Sequence, residues 1–232
     1  MLRLIQLELQ RTNLRPYCIS SVIFAFVLLM FIYFAAWVAQ VEQETQFMNY
    51  ANLFRISSAV SMIFFSALSA TMYAWLITKD YAGSQPDLLF SYPSGRQKVF
   101  MVKVFIVFSF IVGAMLLCTA VPMLIFAATE SFAPIVTDRL SIELGTAVCR
   151  RIALALLAVS ATGVLAFWLG FFKKSMAVTL ISAFVLAGVY GNLIIGTALD
   201  RASIFMIIGV SAAAVLLALF TLVRMIDHME VE

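Results

Sequence analysis

The sequence predicts an all-α, polytopic membrane protein. Three observations carry that: six apolar stretches each long enough to cross a bilayer, very few charges, and no run of short alternating segments of the kind a barrel needs. Hydrophobic residues make up 64% of the 232 and charged residues 12%, with a mean hydropathy of +1.05. A soluble domain uses about 45–50% apolar and about 25% charged residues, so the solvent for most of this chain is lipid. A helix needs about 20 predominantly apolar residues to cross about 30 Å of hydrocarbon. Lipid offers the backbone no hydrogen-bond partners, which forces each span to be helical.

The elements follow in order. Residues 2–14, "LRLIQLELQRTNL", alternate charge with leucine and are too short and polar to span. Leu2, Ile5 and Leu9 share a helical stripe while Leu4 and Leu7 lie off it. We read 1–16 as a moderately amphipathic interfacial helix ended by Pro16, with Arg3, Arg11 and Arg15 toward headgroups; a plain basic anchor for the first span is the alternative. It lacks the apolar core and small-residue site of a signal peptide. The spans are expected near 17–39, 56–78, 99–127, 151–172, 176–198 and 203–224, all in one transmembrane domain covering 1–232. Pro122 is expected to kink the third.

Orientation comes from the basic residues, which translocated short loops avoid. With the N-terminus inside, the inner segments hold Arg3, Arg11, Arg15, Lys79, Arg96, Lys98, Lys103, Lys173, Lys174 and Arg224, against Arg55, Arg139, Arg150, Arg151 and Arg201 outside. Both termini are therefore expected in the cytoplasm. The net charge of +3 needs no nucleic-acid partner, because this asymmetry accounts for it.

Catalytic signatures are absent. The single histidine, His228, lies four residues from the C-terminal end, so neither a Ser/His/Asp arrangement nor an imidazole-based metal site can be assembled in the spans. No Gly-Lys dipeptide occurs, which removes the phosphate-cradling GxxxxGK[ST] loop. Cys18, Cys118 and Cys149 have no paired spacing. Every acidic residue maps to a loop, a terminus or a membrane edge, whereas ion-coupled carriers keep an ionisable group near the midplane. The chain is expected not to be an enzyme and to carry no cofactor or metal. Within the spans, Asn192 in "GVYGNLIIG" can hydrogen-bond across helices or line a pathway. Arg55 opens the second span and can snorkel outward or contact a substrate.

The stretch "KDYAGSQPDLLFSYPSGRQKVFMVK", Lys79 to Lys103, is polar and proline-punctuated between two apolar runs. Gly83 suits the left-handed stop of the second span. Pro86 suits the first turn of a short helix capped from Ser84, with Asp87 near its positive end. Leu88, Leu89 and Phe90 follow, and Tyr92-Pro93 closes it. Ser94 can cap the third span, whose base bears Arg96 and Lys98. The product is a cytoplasmic hairpin, 79–98, presenting an apolar cluster that marks a docking surface.

That string resembles the cytoplasmic hairpin of bacterial type 2 ABC-transporter permeases, on Asp80, Gly83, Leu88, Leu89, Phe90, Ser91, Tyr92, Pro93, Arg96 and Lys103. Asp80 stands where Glu is more frequent in the family, and Pro86 is unusual there. The resemblance implies that the short helix is a coupling helix seated in a separate ABC ATPase subunit, which would hold the ATP and Mg. It implies pairing with a second permease copy or a related permease, in the cytoplasmic membrane of a bacterium. It also implies a re-entrant piece between the last two spans, for which "GNLIIGTALDRAS" is a candidate, with a tight turn as the alternative. The "LLFSYP" variant resembles permeases handling antimicrobial or cytolytic peptides, so export of an amphipathic or hydrophobic peptide is expected. Alternatives are a small drug or lipid-like cargo, an ATP-independent carrier or channel, and a non-transporting anchor for an ATPase.

Overall fold

The structure is a computed structural model and describes residues 2–42, 49–78, 96–132, 142–173, 175–196 and 201–228. Every secondary-structure element among the described residues is helical. They are α1 (Leu2–Arg11), α2 (Arg15–Glu42), α3 (Tyr50–Tyr73) continued by a π-helical turn (Ala74–Thr78), α4 (Arg96–Phe132), α5 (Ile142–Phe172), α6 (Met176–Gly196) and α7 (Arg201–His228). Five stretches are long and apolar enough to cross a membrane: Arg15–Glu42, Tyr50–Ile77, Lys98–Phe132, Glu143–Phe172 and Met176–Leu193. In α7 the corresponding apolar stretch is the shorter Ile207–Leu222. The helices overrun the expected spans at most ends, because helices continue past the hydrocarbon boundary wherever caps or neighbours hold them. Asn49, for example, caps α3 by accepting from the Ala51 N–H at 2.8 Å. α4 continues through Pro122 to Phe132, so the proline does not end the helix.

The contacts set an alternating up-and-down order. α3 and α5 run parallel: the Ser66 and Thr162 hydroxyls share a hydrogen bond of 3.1 Å, and a turn or more further on Tyr73 stacks on Phe167 at 5.2 Å. α4 is antiparallel to α3, with Tyr50 reaching Glu130 at one end and Lys103 reaching Leu76 at the other. α6 is antiparallel to α5, where Gly170 faces Thr179 and Ser182 lies beside Ala166. Tyr190 and Ser211 share a 3.0 Å hydrogen bond that ties α7 to α6. The chain ends of α3 and α5 and the starts of α2, α4 and α6 therefore gather at one end of the bundle.

Lipid tails are as apolar as leucine, so helix association in lipid relies on close packing and interhelical hydrogen bonds. α3 supplies both with small polar residues: Ser57, Ser58, Ser61, Ser66 and Ser69 are all buried. Most of them return a hydrogen bond to their own helix, as Ser57 does to the Leu53 carbonyl at 2.8 Å and Ser61 to the Ser57 carbonyl at 2.9 Å. Their hydroxyls are thus satisfied without spacing the helices apart. A Cβ on Gly163 would strike the Ser69 hydroxyl, and one on Gly170 would strike Thr179 down to its backbone. Ala70, Ala166 and Ala183 complete the seam where α3, α5 and α6 meet. Gly188 and Gly191 of α6 are looser: nothing approaches Gly188 within 4 Å, and only the Met62 methyl comes near Gly191, at 3.4 Å.

Aromatic clusters fill the rest. Phe24 of α2 stacks on Phe64 at 4.0 Å and meets Phe65 edge-on. Tyr33, Tyr50, Phe54 and Phe126 close the end distal to the 79–95 segment, where the Tyr50 hydroxyl donates to Glu130 Oε2 at 2.7 Å. Glu130 is level with the expected edge but buried in protein, and so is Glu8 of α1 at 3% exposure. On α1, Leu7 and Leu9 are exposed, at 64% and 42%. Leu9 of the expected stripe and Leu7 from outside it are thus both exposed, while Glu8 between them is buried.

The glycine contacts make a graded prediction. Gly170→Ala is expected to destabilise the folded protein by about 1–3 kcal/mol, the usual cost of overpacking, because Cβ and Cα of Thr179, which no side-chain rotation moves aside, stand in the way. Gly163→Ala costs less, since the Ser69 hydroxyl can rotate aside, and Gly188→Ala costs nothing measurable. Denaturant titration of the purified variants in detergent checks the order.

Candidate functional site at the base of the bundle

The end of the bundle where α3 stops and α4 starts is the end that carries residues 79–95. Asp80, Gly83, Pro86, Asp87, Leu88, Leu89, Phe90, Tyr92 and Pro93 lie outside the described residues; Arg96 is the first residue of α4. The two anchor points of the segment are described in detail.

The first anchor is the π-helical turn "AWLIT", Ala74–Thr78. A π turn widens the helix by one residue per hydrogen-bonded ring, and such turns concentrate at functional sites. Ala74 and Ile77 are buried while Trp75 is exposed. The second anchor is the first turns of α4, from which Lys103, only 9% exposed, donates its Nζ to the Leu76 carbonyl at 3.4 Å. A lysine stem buried along apolar surface with its ammonium directed to a backbone carbonyl satisfies the cation where a free one would be costly. The two sides of the 79–95 segment are therefore tied to each other across the helix pair.

Behind these anchors sits an aromatic wall. Phe100 of α4 lies 5.9 Å from Phe167 and 6.3 Å from Phe171, and Phe167 stacks on Tyr73, the residue directly before the π segment. Phe100 and Phe167 are fully buried. The end of α3, the start of α4 and the end of α5 are thus joined through interlocked rings. Beside this wall a lateral groove of about 480 Å³ opens between α4, α5 and α7, walled by Met101, Phe105, Phe108, Val164, Val215 and Leu219. Its lining is almost wholly apolar, so it suits acyl chains or an apolar side of a larger molecule and offers nothing to orient a small polar one.

The two pathway candidates do not meet. Asn192 is exposed, and its Nδ2 donates to the Gly188 carbonyl of its own helix at 2.9 Å. The cross-helix bond expected for it is therefore replaced by a local one, since an amide on the outer face of α6 has its own free-running carbonyls nearest. Arg55 lies in the second turn of α3, half-buried, rather than at the start of the helix. Among the described residues no group of three His, Cys, Asp or Glu gathers to hold a metal ion.

Sequence reading missed the π turn and the Lys103 tie. Lys103 has a signal, being a lysine one and a half turns inside an apolar run; the π turn in "AWLIT" has none that composition reveals. No family model, curated protein or solved structure matches the chain.

Lys103→Met keeps the apolar stem and removes the donor to Leu76. The variant is expected to fold with a stability loss of about 1–2 kcal/mol, the size of a hydrogen bond to a charged group, and to exchange amide hydrogens faster in Ala74–Thr78. Hydrogen-exchange mass spectrometry of that peptide against wild type is the measurement; unchanged protection there would remove the tie from the account.

Proposed function

We propose that this chain is the permease subunit of an ATP-driven exporter in a bacterial cytoplasmic membrane. In this reading α7 is the sixth span and both termini face the cytoplasm. ATP and Mg sit on a separate ABC ATPase subunit that receives the hairpin, and a second permease copy or a related permease completes the transporter. The cargo is an amphipathic or hydrophobic peptide.

One observation carries the proposal: the stretch Lys79–Lys103, with "DLLFSYP" at its centre, resembles the coupling hairpin of type 2 ABC permeases. The geometry around it is in keeping with that role. A coupling element has to pass displacement to the spans, and the segment leaves α3 at a π turn and rejoins α4 just before the Lys103 contact. A rigid-body switch of paired permeases then needs only the hairpins to move together. The apolar groove between α4, α5 and α7 supports a greasy cargo over a small charged one.

The test is docking. Leu88→Asp and Phe90→Asp are expected to insert as wild type does and to lose the ATPase on copurification, since each puts a charge into an apolar contact. Co-expression with the ATPase, pull-down from detergent and ATP hydrolysis across a panel of amphipathic peptides give the readout. Copurification of both variants at the wild-type level would sink the docking role, and a chain that purifies with no ATPase partner would turn the reading toward an autonomous carrier.

A further inference from the structure

At the end of the bundle opposite the hairpin, three arginines gather on two helices. Ser66 and Thr162 touch across the parallel pair α3 and α5. Eleven residues before Ser66 is Arg55, and eleven before Thr162 is Arg151. Eleven residues are about three turns of α-helix, so both arginines return to the faces that meet at the hydroxyl pair, at one level, about 16 Å further along. Arg150 adjoins on α5, and the positive charges of Arg55 and Arg150 both act on Arg151. Three like charges on one helix pair, in a protein with so few, favour an anion close by.

The described residues at that end include the carboxylate of Glu130, which accepts from Tyr50. No hydrogen bond or ion pair among them engages the three side chains. Arg55 Nε and Arg151 Nη1 are buried with no hydrogen-bond partner, while Arg55 and Arg151 as wholes are half-buried and Arg150 is exposed. One nitrogen of each inner guanidinium has thus lost its water, while each residue as a whole keeps part of its exposure. A guanidinium in that state presents a planar fork of donors suited to a phosphate. The level is also right. From Arg55 to Ile77, and from Arg151 to Phe172, each helix runs about 32 Å at about 1.5 Å per residue, close to the thickness of a bilayer's hydrocarbon core. The forks therefore sit where headgroup phosphates lie.

We propose that Arg55 and Arg151, assisted by Arg150, form a phosphate-class anion site between α3 and α5 at the headgroup level of the leaflet away from the hairpin. The site is independent of whether the chain transports anything. Its occupant is a phosphate group, carried by a lipid headgroup or free in solution.

The experiment uses the full-length protein in a non-ionic detergent. Phosphatidylglycerol, diacylglycerol and inorganic phosphate are added separately, with Tm and native mass spectrometry as readouts. Phosphatidylglycerol is expected to raise Tm and remain bound, and diacylglycerol, which has the chains without the phosphate, to do neither. Arg55→Gln and Arg151→Gln are each expected to weaken retention about tenfold, the loss of one charge-assisted contact. In the absence of lipid both variants should melt no lower than wild type, because removing one of three like charges relieves repulsion. Arg55→Lys keeps the charge and loses the fork, and should bind at an intermediate level; it also serves if the glutamine variants fold poorly. A shift with inorganic phosphate alone would assign the site to a soluble anion, and a shift with phosphatidylglycerol only would assign it to a headgroup. Equal shifts from diacylglycerol, or wild-type retention in both glutamine variants, would overturn the proposal.

Discussion

The close approach of α3 to α5 is the contact on which the rest of the structure depends. In water, burial at about 25 cal/mol per Å² would hold two apolar helices together, but between lipid-solvated helices that term vanishes. What remains is dispersion at short range and a few interhelical hydrogen bonds. Gly163 against Ser69, with Ser66 against Thr162 beside it, brings the two backbones near enough for both. α6 then seats on the pair because Gly170 leaves space for Thr179, and the turn is closed by the Ser175 N–H donating to the Gly170 carbonyl at 3.1 Å. α4 and α7 come to this unit through larger side chains, and α2 joins mainly by way of α4, so tightness falls off outward from the α3–α5 seam.

The same seam fixes the geometry at both ends. Because α3 and α5 run parallel and in register, Tyr73 and Phe167 stack beneath it, and Arg55 and Arg151 stand level above it. The lower end meets the π turn and Lys103; the upper end collects charge. A shift of one helix by a single residue would rotate both sets by about 100° and separate them together. Packing at the middle and polar chemistry at the two ends are thus one constraint.

Much of the fold was legible in the sequence because lipid removes alternatives: long apolar stretches cannot be strands or loops there, so composition alone assigns helix. The break between α5 and α6 at Lys173–Ser175 was legible for the same reason, as a charged interruption. The seam was not. Its residues are serines, threonines and lone glycines without a GxxxG spacing, and each is equally at home facing its own helix carbonyls. Gly188 and Gly191 look alike in sequence to Gly163 and Gly170; only the neighbouring helix distinguishes them. Asn192 was ambiguous on the same ground, since an amide's partner, here the Gly188 carbonyl, depends on which way its face of the helix points. The stretch 79–98 shows the converse, a segment whose interest comes from its residues and not from the described geometry.

Exposed apolar faces, which in a soluble protein would mark an interface, are uninformative here. α2 displays Ile23, Phe26, Met30, Phe34 and Trp37 along its length, and lipid covers such a surface as well as a partner does. The groove between α4, α5 and α7 is equally content with acyl chains. Polar groups are what lipid cannot satisfy, so in this protein they are the residues that report on function. Lys103 has a carbonyl and Glu130 a tyrosine hydroxyl. Arg55 and Arg151 each have one buried nitrogen without a hydrogen-bond partner, and the proposed anion site rests on that.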